Sequence, residues 1–228
     1  ADAKAVADAD IVFVNGLGFE TWSDALISNA GGDARVVVAT AGIEPILVDG
    51  EIDPHAWNAL TNGVIYVENI AVAMAAADAG NADAYKANAA SYIARLRALH
   101  ASAAGTFGSL PEGSRTVVTA HDAFGYLADS YRLKFLAPVG IDTKAEPSAS
   151  ELAALIAHLK KTGAGALFVE NITSPALIEQ ISKETGLKIG GRLFSDALSE
   201  RGGPATSYVA MFEHNLGAIM TALQDSGS

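Results

Sequence analysis

The chain has 228 residues, with 15 Lys and Arg against 26 Asp and Glu, a formal net charge of −11 and no cysteine. The lack of cysteine excludes disulfide frameworks, thiolate zinc sites, iron–sulfur clusters and cysteine nucleophiles. The acidic balance argues against nucleic acid, which is bound through clustered Lys and Arg, and favours cations as ligands. No uninterrupted apolar run approaches the roughly 18 residues that a membrane span needs.

Helices and short buried strands are predicted to alternate along the whole chain. Unbroken apolar or extended runs predict strands at 11–14, 35–39, 116–119, 134–139, 166–169 and 188–194. Helical spacing of apolar residues predicts helices at 1–8, 19–30, 61–79, 122–130, 148–161, 174–185 and 208–223. Several Gly and Pro residues predict a loop at 40–54, and Ser148 with Glu151 fits a capping box at the start of a helix.

One segment predicts a much longer helix. Residues 81–107 contain no Gly or Pro before Gly105, and a helix of that length would span nearly 40 Å at about 1.5 Å per residue. We therefore predict an α/β protein of two lobes, each a sheet-plus-helix sandwich, joined by one long rigid backbone helix. The predicted division is 1–80 for the N-terminal lobe, 81–107 for the connecting helix and 112–228 for the C-terminal lobe.

A first candidate site is the turn Gly16-Leu17-Gly18, between a predicted strand and a predicted helix. Dinucleotide-binding folds place G-x-G-x-x-G in such a turn, but Thr21 stands where the third glycine would be. The missing glycine weakens the close helix–strand packing over a pyrophosphate. A nucleotide-binding protein is thus a weak alternative.

A second candidate site comes from three residues that follow predicted strands or their loops. His55 lies in Asp53-Pro54-His55-Ala56-Trp57, where the proline fixes the backbone and Trp57 can shield the ring from water. His121 directly follows a buried strand, and Asp196 follows the last extended segment. Ligands bind at the carboxyl ends of strands in α/β sheets, so these residues are candidates for one site. The other three histidines fall on predicted helices, where a solvated or helix-dipole position is expected: His100, His158 and His214.

Two further features could assist a metal. Glu170 follows a predicted strand and could orient a ligand histidine through its other ring nitrogen, although a capping or lobe-contact role is an equal alternative. The loop before His55 carries four carboxylates, for which an ordinary solvated loop is the favoured interpretation over weak cation attraction: Glu44, Asp49, Glu51 and Asp53.

These residues resemble a known family, the solute-binding proteins of metal ABC transporters that include ZnuA, TroA and PsaA. The matching segments cover the chain in the family's order: 9–22, Asp53-Pro54-His55-Ala56-Trp57, 119–127, Phe168-Val169-Glu170 and 194–199. The intervals of 66 residues from His55 to His121 and 75 residues from His121 to Asp196, without a histidine-rich insert, look most like the zinc-specific AztC type.

The resemblance implies one metal ion held at the lobe interface, with His55, His121 and Asp196 as the second, third and fourth ligands. The first ligand of the family is a histidine that would lie upstream of this sequence. We therefore expect the N-terminal lobe to lack its first strand–helix portion here and a signal peptide to have been removed. Binding is expected to weaken below pH 6, where imidazoles with a pKa near about 6.5 take up protons.

The resemblance also implies a function. The expected protein is not an enzyme but a high-affinity receptor in the periplasm, or on the outer face of the cytoplasmic membrane, that delivers one Zn²⁺ ion as transported substrate to an ABC permease. Zinc is favoured because His121 stands where manganese carriers have Glu, and imidazoles suit zinc. A monomer is expected, and a periplasmic metallochaperone is left open as a further partner. The alternatives are a manganese receptor of the same family and a zinc hydrolase with an open His/His/Asp site and Glu170 as its base.

Overall fold

The protein forms two α/β units. The computed structural model describes residues 2–141, 147–162 and 165–226. One unit extends to His100 and the other begins at Ala101. The boundary falls inside α4 (Ala82–Gly108), which confirms the long helix predicted at 81–107. The lobe limits at 80 and 112 stay a prediction.

The first unit is built on two parallel strands, β1 (Ile11–Val14) and β2 (Arg35–Val38), paired in register from Ile11 with Arg35. Its helices are α1 (Asp2–Ala7), α2 (Ser23–Ala30), α3 (Leu60–Ala77) and the first part of α4. These elements confirm the predicted alternation.

The predicted loop at 40–54 is wrong in one respect. It contains a small antiparallel hairpin of β3 (Leu47–Val48) and β4 (Glu51–Ile52). The turn is Asp49-Gly50, with φ of 51° and 88° at the two residues. Positive φ at both central residues is what a two-residue hairpin turn requires, and Asp-Gly is a preferred sequence for it. The hairpin was missed because its strands have only two residues each.

The helix α3 is long and apolar enough to cross a membrane by length and composition, with a mean hydropathy of 1.3. Its polar side chains instead tie it to neighbouring backbone of its own unit. Asn62 Nδ2 donates to Ala56 O at 3.0 Å, and Asn69 Nδ2 donates to Ala39 O at 2.8 Å and to Ala41 O at 2.9 Å. These bonds make α3 an integral helix of the first unit.

The second unit is a four-stranded parallel sheet in the order β6-β5-β7-β8. Its strands are β5 (Thr116–Val118), β6 (Lys134–Leu136), β7 (Ala166–Glu170) and β8 (Ile189–Leu193). Its helices are α5 (Gly125–Tyr131), α6 (Ala149–Thr162), α7 (Ala176–Thr185) and α8 (Tyr208–Ser226). The predicted capping box is confirmed, because Ser148 N donates to Glu151 Oε2 at 2.8 Å and Glu151 N donates to Ser148 Oγ at 3.2 Å.

Alternate residues of β7 point to opposite faces of this sheet. Leu167 packs with Ile156 of α6 and Ile178 of α7. Phe168 lies on the other side, beside Gly190, where an added Cβ would come 2.9 Å from the Phe168 ring and 2.7 Å from Ala222 of α8. Helices therefore cover both faces, which leaves the carboxyl edge of the sheet for a site.

Candidate metal site

Three neighbouring strands of the second unit end in polar residues at one edge of the sheet. His121 follows β5, Glu170 is the last residue of β7, and Asp196 follows β8. The strands are parallel and adjacent in the order β5-β7-β8, so their carboxyl ends meet. The structure thus brings together three of the four site residues predicted from the sequence.

The extended chain after β5 is what delivers His121 to this edge. Residues 119–123 run beside the segment that follows β6, with Val139 N donating to Ala120 O at 3.3 Å and Asp122 N donating to Val139 O at 3.1 Å. The predicted helix at 122–130 therefore begins only at Gly125. Because the helix begins only at Gly125, His121 stays in extended backbone at the edge of the sheet.

The imidazole of His121 lies between two carboxylates. Its Nδ1 is 2.7 Å from Glu170 Oε2, and its Nε2 is 3.3 Å from Asp196 Oδ2. The side chains of His121 and Glu170 are fully buried, whereas that of Asp196 is 17% exposed. Burial by itself lowers the pKa of His121, but hydrogen bonds and charge from Asp196 and Glu170 outweigh it and raise the pKa to about 9.

Both carboxylate oxygens of Glu170 contact the segment around His121. Its Oε1 accepts hydrogen bonds from Ala120 N at 2.8 Å and from His121 N at 2.9 Å, while its Oε2 faces the ring. A carboxylate held by two backbone N–H groups and an imidazole is poorly placed to take a proton from a substrate water. This geometry disfavours the role of general base.

The loop that carries Asp196 is fixed by two asparagines, which the sequence pattern did not indicate. Asn215 of α8 accepts from Phe194 N at 3.0 Å and donates to Phe194 O at 2.8 Å. Asn171 Nδ2 donates to Ala197 O at 3.1 Å. The one hint in the sequence was that Asn215 is a polar residue on the apolar face of α8, where a buried side chain needs hydrogen-bond partners.

We expect Asn215→Ala to lower the free energy of unfolding by about 2 kcal/mol. The variant removes two hydrogen bonds to the backbone of Phe194, and leaving a buried polar group without its bond costs about 1–3 kcal/mol. Urea denaturation of the metal-free protein measures the change. The matched control is Asn29→Ala on α2, where the side chain is exposed and Nδ2 donates to Ala25 O. Equal stability of the two variants would contradict the role assigned to Asn215.

The first unit holds His55 in a similar way. Asp53 Oδ1 accepts from His55 N at 2.9 Å and lies 2.7 Å from His55 Nδ1. Asp53 is fully buried and His55 is 2% exposed. The Trp57 ring lies edge-on to the His55 ring at 5.2 Å, which confirms the expected shielding. Asp53 therefore differs from the other three carboxylates of its loop, which are exposed: Glu44, Asp49 and Glu51.

Asn15, at the end of β1, supports the loop of His55. Its Nδ2 donates to Pro54 O at 3.0 Å, and its Oδ1 accepts from the Tyr66 hydroxyl of α3. The Thr40 hydroxyl donates to Asn15 O at 2.5 Å. The candidate ligand is thus anchored to both a strand and a helix of its own unit.

The turn Gly16-Leu17-Gly18 is closed by a side chain of the same chain. Glu20 accepts from Asn15 N at 2.6 Å and from Gly16 N at 3.1 Å, so those donors face a carboxylate. Gly16 has a φ of 84°, and an added Cβ would come 2.6 Å from Val38 Cγ1. A glycine is therefore required at position 16 by its positive φ and by the close contact with Val38. Since Glu20 already accepts from the backbone N–H groups of the turn, the structure argues against a nucleotide site there.

The remaining histidines lie on helices, as predicted. His158 is exposed on α6, and His100 lies on α4. His214 of α8 has its Nε2 2.9 Å from Arg192 O. The contact of His214 thus involves no candidate ligand.

The described donors form two sets, with an imidazole in the first unit and an imidazole with a carboxylate in the second. Imidazole nitrogen binds zinc, copper, iron and nickel, and carboxylate oxygen is shared with manganese. A buried parallel-sheet edge with such donors defines an α/β protein that binds a divalent metal.

Residues 1–222 match the family described as zinc-uptake complex component A, periplasmic (ZnuA). The chain therefore belongs to this family, the metal-binding receptors of ABC transporters. Its expected two-lobe α/β fold with a long connecting helix is confirmed. The protein is a receptor that acts outside the cytoplasmic membrane, and the hydrolase alternative is wrong.

Relatives of this chain carry the names of three metals. It is 32% identical to the iron ABC transporter substrate-binding lipoprotein MtsA of Streptococcus pyogenes, covering 97% of this chain and 75% of that protein. It is 31% identical to a manganese-bound periplasmic metal binding protein of Candidatus Liberibacter asiaticus, with a TM-score of 0.88 over 97% of this chain and 84% of that one. It is 28% identical to the periplasmic zinc binding protein TroA of Treponema pallidum, with a TM-score of 0.91 over 97% and 83%.

Proposed function

We propose that the metal carried by this receptor is zinc and that His55, His121 and Asp196 are its ligands. The observation that carries the proposal is the buried His121 imidazole, whose Nε2 faces the carboxylate of Asp196 at 3.3 Å. A nitrogen and an oxygen at this spacing suit Zn²⁺, which binds both at about 2.0–2.2 Å after a small adjustment. His55 is proposed as a second nitrogen donor, contributed by the first unit.

The balance of donors favours zinc over manganese. Two of the three proposed ligands are imidazoles, whereas manganese is matched by sets richer in carboxylate, carbonyl and water oxygen. The assignment to a zinc-specific type within the family depends on the same argument. The similar protein TroA is likewise described as a zinc binding protein.

Manganese is the second candidate. The relative from Candidatus Liberibacter asiaticus is manganese-bound, and Asp196 supplies a hard oxygen donor. A site tuned for manganese would narrow or reverse the preference for zinc that most sites show. The Irving–Williams order gives zinc the higher intrinsic affinity for most sites, so the comparison must use buffered free metal.

The transported ion implies an ABC permease as the partner that receives it. We propose that the receptor works as a monomer, since one chain supplies all three proposed ligands. A periplasmic metallochaperone is a further proposed partner. Light scattering with and without zinc tests whether the protein is a monomer. A periplasmic donor protein loaded with zinc that passes the ion to this receptor faster than the ion dissociates from the donor alone would support the metallochaperone.

The test of the metal is a competition titration of the metal-free protein with Zn²⁺, Mn²⁺ and Fe²⁺ against chelators of known affinity. We expect one ion per chain and a preference for zinc over manganese of more than tenfold. Equal or reversed affinities would overturn zinc in favour of manganese. Failure to bind any of the three ions would overturn the ligand assignment.

A further inference from the structure

We propose that Asp53 and Glu170 are positioning residues that fix the tautomer of the two candidate ligand histidines, so that both present Nε2 to the metal. The inference rests on the proposed function, because it concerns the orientation of the same ligands. It adds a role for Asp53 that the sequence pattern did not indicate, and it assigns Glu170 a specific bond.

The two carboxylates make the same pair of contacts in two different units. Glu170 accepts from His121 N at 2.9 Å and faces His121 Nδ1 at 2.7 Å. Asp53 accepts from His55 N at 2.9 Å and lies 2.7 Å from His55 Nδ1. In each case one buried carboxylate holds both the backbone and the ring of a histidine.

This arrangement decides which nitrogen is available. A carboxylate can only accept a hydrogen bond, so a ring nitrogen 2.7 Å away must carry the proton. Nδ1 therefore keeps its proton in both rings, and Nε2 is the nitrogen that gives up any further proton and presents its lone pair to the metal. The negative partner also makes Nε2 a stronger donor, as carboxylate–histidine–zinc arrangements do.

The contacts further imply that each unit orients its histidine without the other. Glu170 reaches His121 from the adjacent strand β7, and Asp53 reaches His55 from two residues away in the same loop. Both carboxylates are buried, with exposures of 2% and 0%. The ring orientations should therefore be present before metal arrives.

The two carboxylates differ in how an amide would replace them. Glu170 uses one oxygen for backbone N–H groups and the other for the ring, so Glu170→Gln would turn an NH₂ group toward Nδ1 and favour the opposite tautomer. Asp53 uses a single oxygen for both contacts, so Asp53→Asn can keep them and lose only the charge. We expect Glu170→Gln and Asp53→Ala to weaken zinc binding about 10–100-fold and Asp53→Asn to weaken it less.

The experiment combines zinc competition titrations with ¹⁵N–¹H NMR of labelled histidines. Matched controls are Glu44→Gln and Glu179→Gln, which alter exposed carboxylates of the first and second units. Circular dichroism melts confirm that each variant folds. Metal-free spectra in alkaline buffer, where the rings are neutral, should show Nδ1–H for His55 and His121 in the wild type and Nε2–H for His121 in Glu170→Gln.

The outcomes separate the two proposals. Three results would overturn the positioning roles. They are zinc bound through Nδ1, wild-type histidines that carry their proton on Nε2, and unchanged zinc affinity in both Glu170→Gln and Asp53→Ala. If the wild type and the controls bind no metal, the proposed function fails, and the metal-free spectra still decide the tautomers. The inference would be supported if the wild-type rings carry their proton on Nδ1 and if Glu170→Gln and Asp53→Ala weaken zinc binding more than Asp53→Asn does.

Discussion

Replacing His121 by alanine is expected to lower zinc affinity by more than the roughly 10–100-fold that loss of an outer hydrogen-bond partner costs, because the variant removes a proposed metal donor itself. It also leaves Glu170 and Asp196 as neighbouring carboxylates without the imidazole that separates them. Zinc competition titration measures the loss. The matched control is His158→Ala on the exposed face of α6, which should bind zinc as the wild type does.

The same position is expected to control metal selectivity. His121→Glu exchanges a nitrogen donor for a hard oxygen donor, so we expect the preference to move from zinc toward manganese. Three carboxyl groups would then meet at one sheet edge, and this variant should gain more thermal stability from metal than the wild type gains. Unchanged selectivity between zinc and manganese would contradict the role of His121 as a ligand.

The metal-free protein is expected to lose stability as pH rises from about 6.5 to about 9. The pKa of His121 is raised from its ordinary value of 6.5 to about 9, because the bonds to Asp196 and Glu170 outweigh burial. A histidine whose folded pKa exceeds the unfolded value stabilises the fold below the unfolded pKa, and this contribution disappears as pH passes the folded pKa. Denaturation of chelator-treated protein across this range measures the trend.

Metal binding should show the opposite dependence on pH. A metal ion at Nε2 replaces the proton that this nitrogen carries in the metal-free site, so apparent zinc affinity should rise about tenfold per pH unit up to about 9. Proton competition is thus expected well above the pH 6 inferred from free imidazole. An affinity that levels off near pH 6.5 would contradict the raised pKa, and His158→Gln should leave the whole profile unchanged.

Much of the fold follows from local patterns. Continuous apolar runs indicated β1, β2, β5 and β7 within about one residue. Burial explains the runs of β5 and β7, which lie inside the sheet of the second unit, whereas β2 is largely exposed in the structure. The absence of Gly and Pro indicated α4 in the same way. Helix starts at 19 and 122 were placed too early. Local turns that include the bonds of Glu20 precede α2, and a bond from Asp122 N to Val139 O keeps the segment before α5 beside the chain that follows β6.

The candidate site was predictable only in part. Strand ends identified His121, Glu170 and Asp196, because the carboxyl edge of a parallel sheet is fixed by topology. The supporting bonds of Asp53, Asn15 and Asn215 were not predictable, because each depends on a loop conformation or on a contact between segments distant in sequence. A carboxylate in an acidic loop gives no sign of whether it is buried.

The sheet order of the second unit also determines when a metal ion can act during folding. The residues at its carboxyl edge come from β5, β7 and β8, which pair only once distant parts of the chain have met. An unfolded chain therefore offers the ion no compact chelating segment, unlike a zinc finger whose ligands lie close in sequence. The ion stabilises the chain only by binding the finished fold, as any native-state ligand does, so the protein can release its cargo and remain folded.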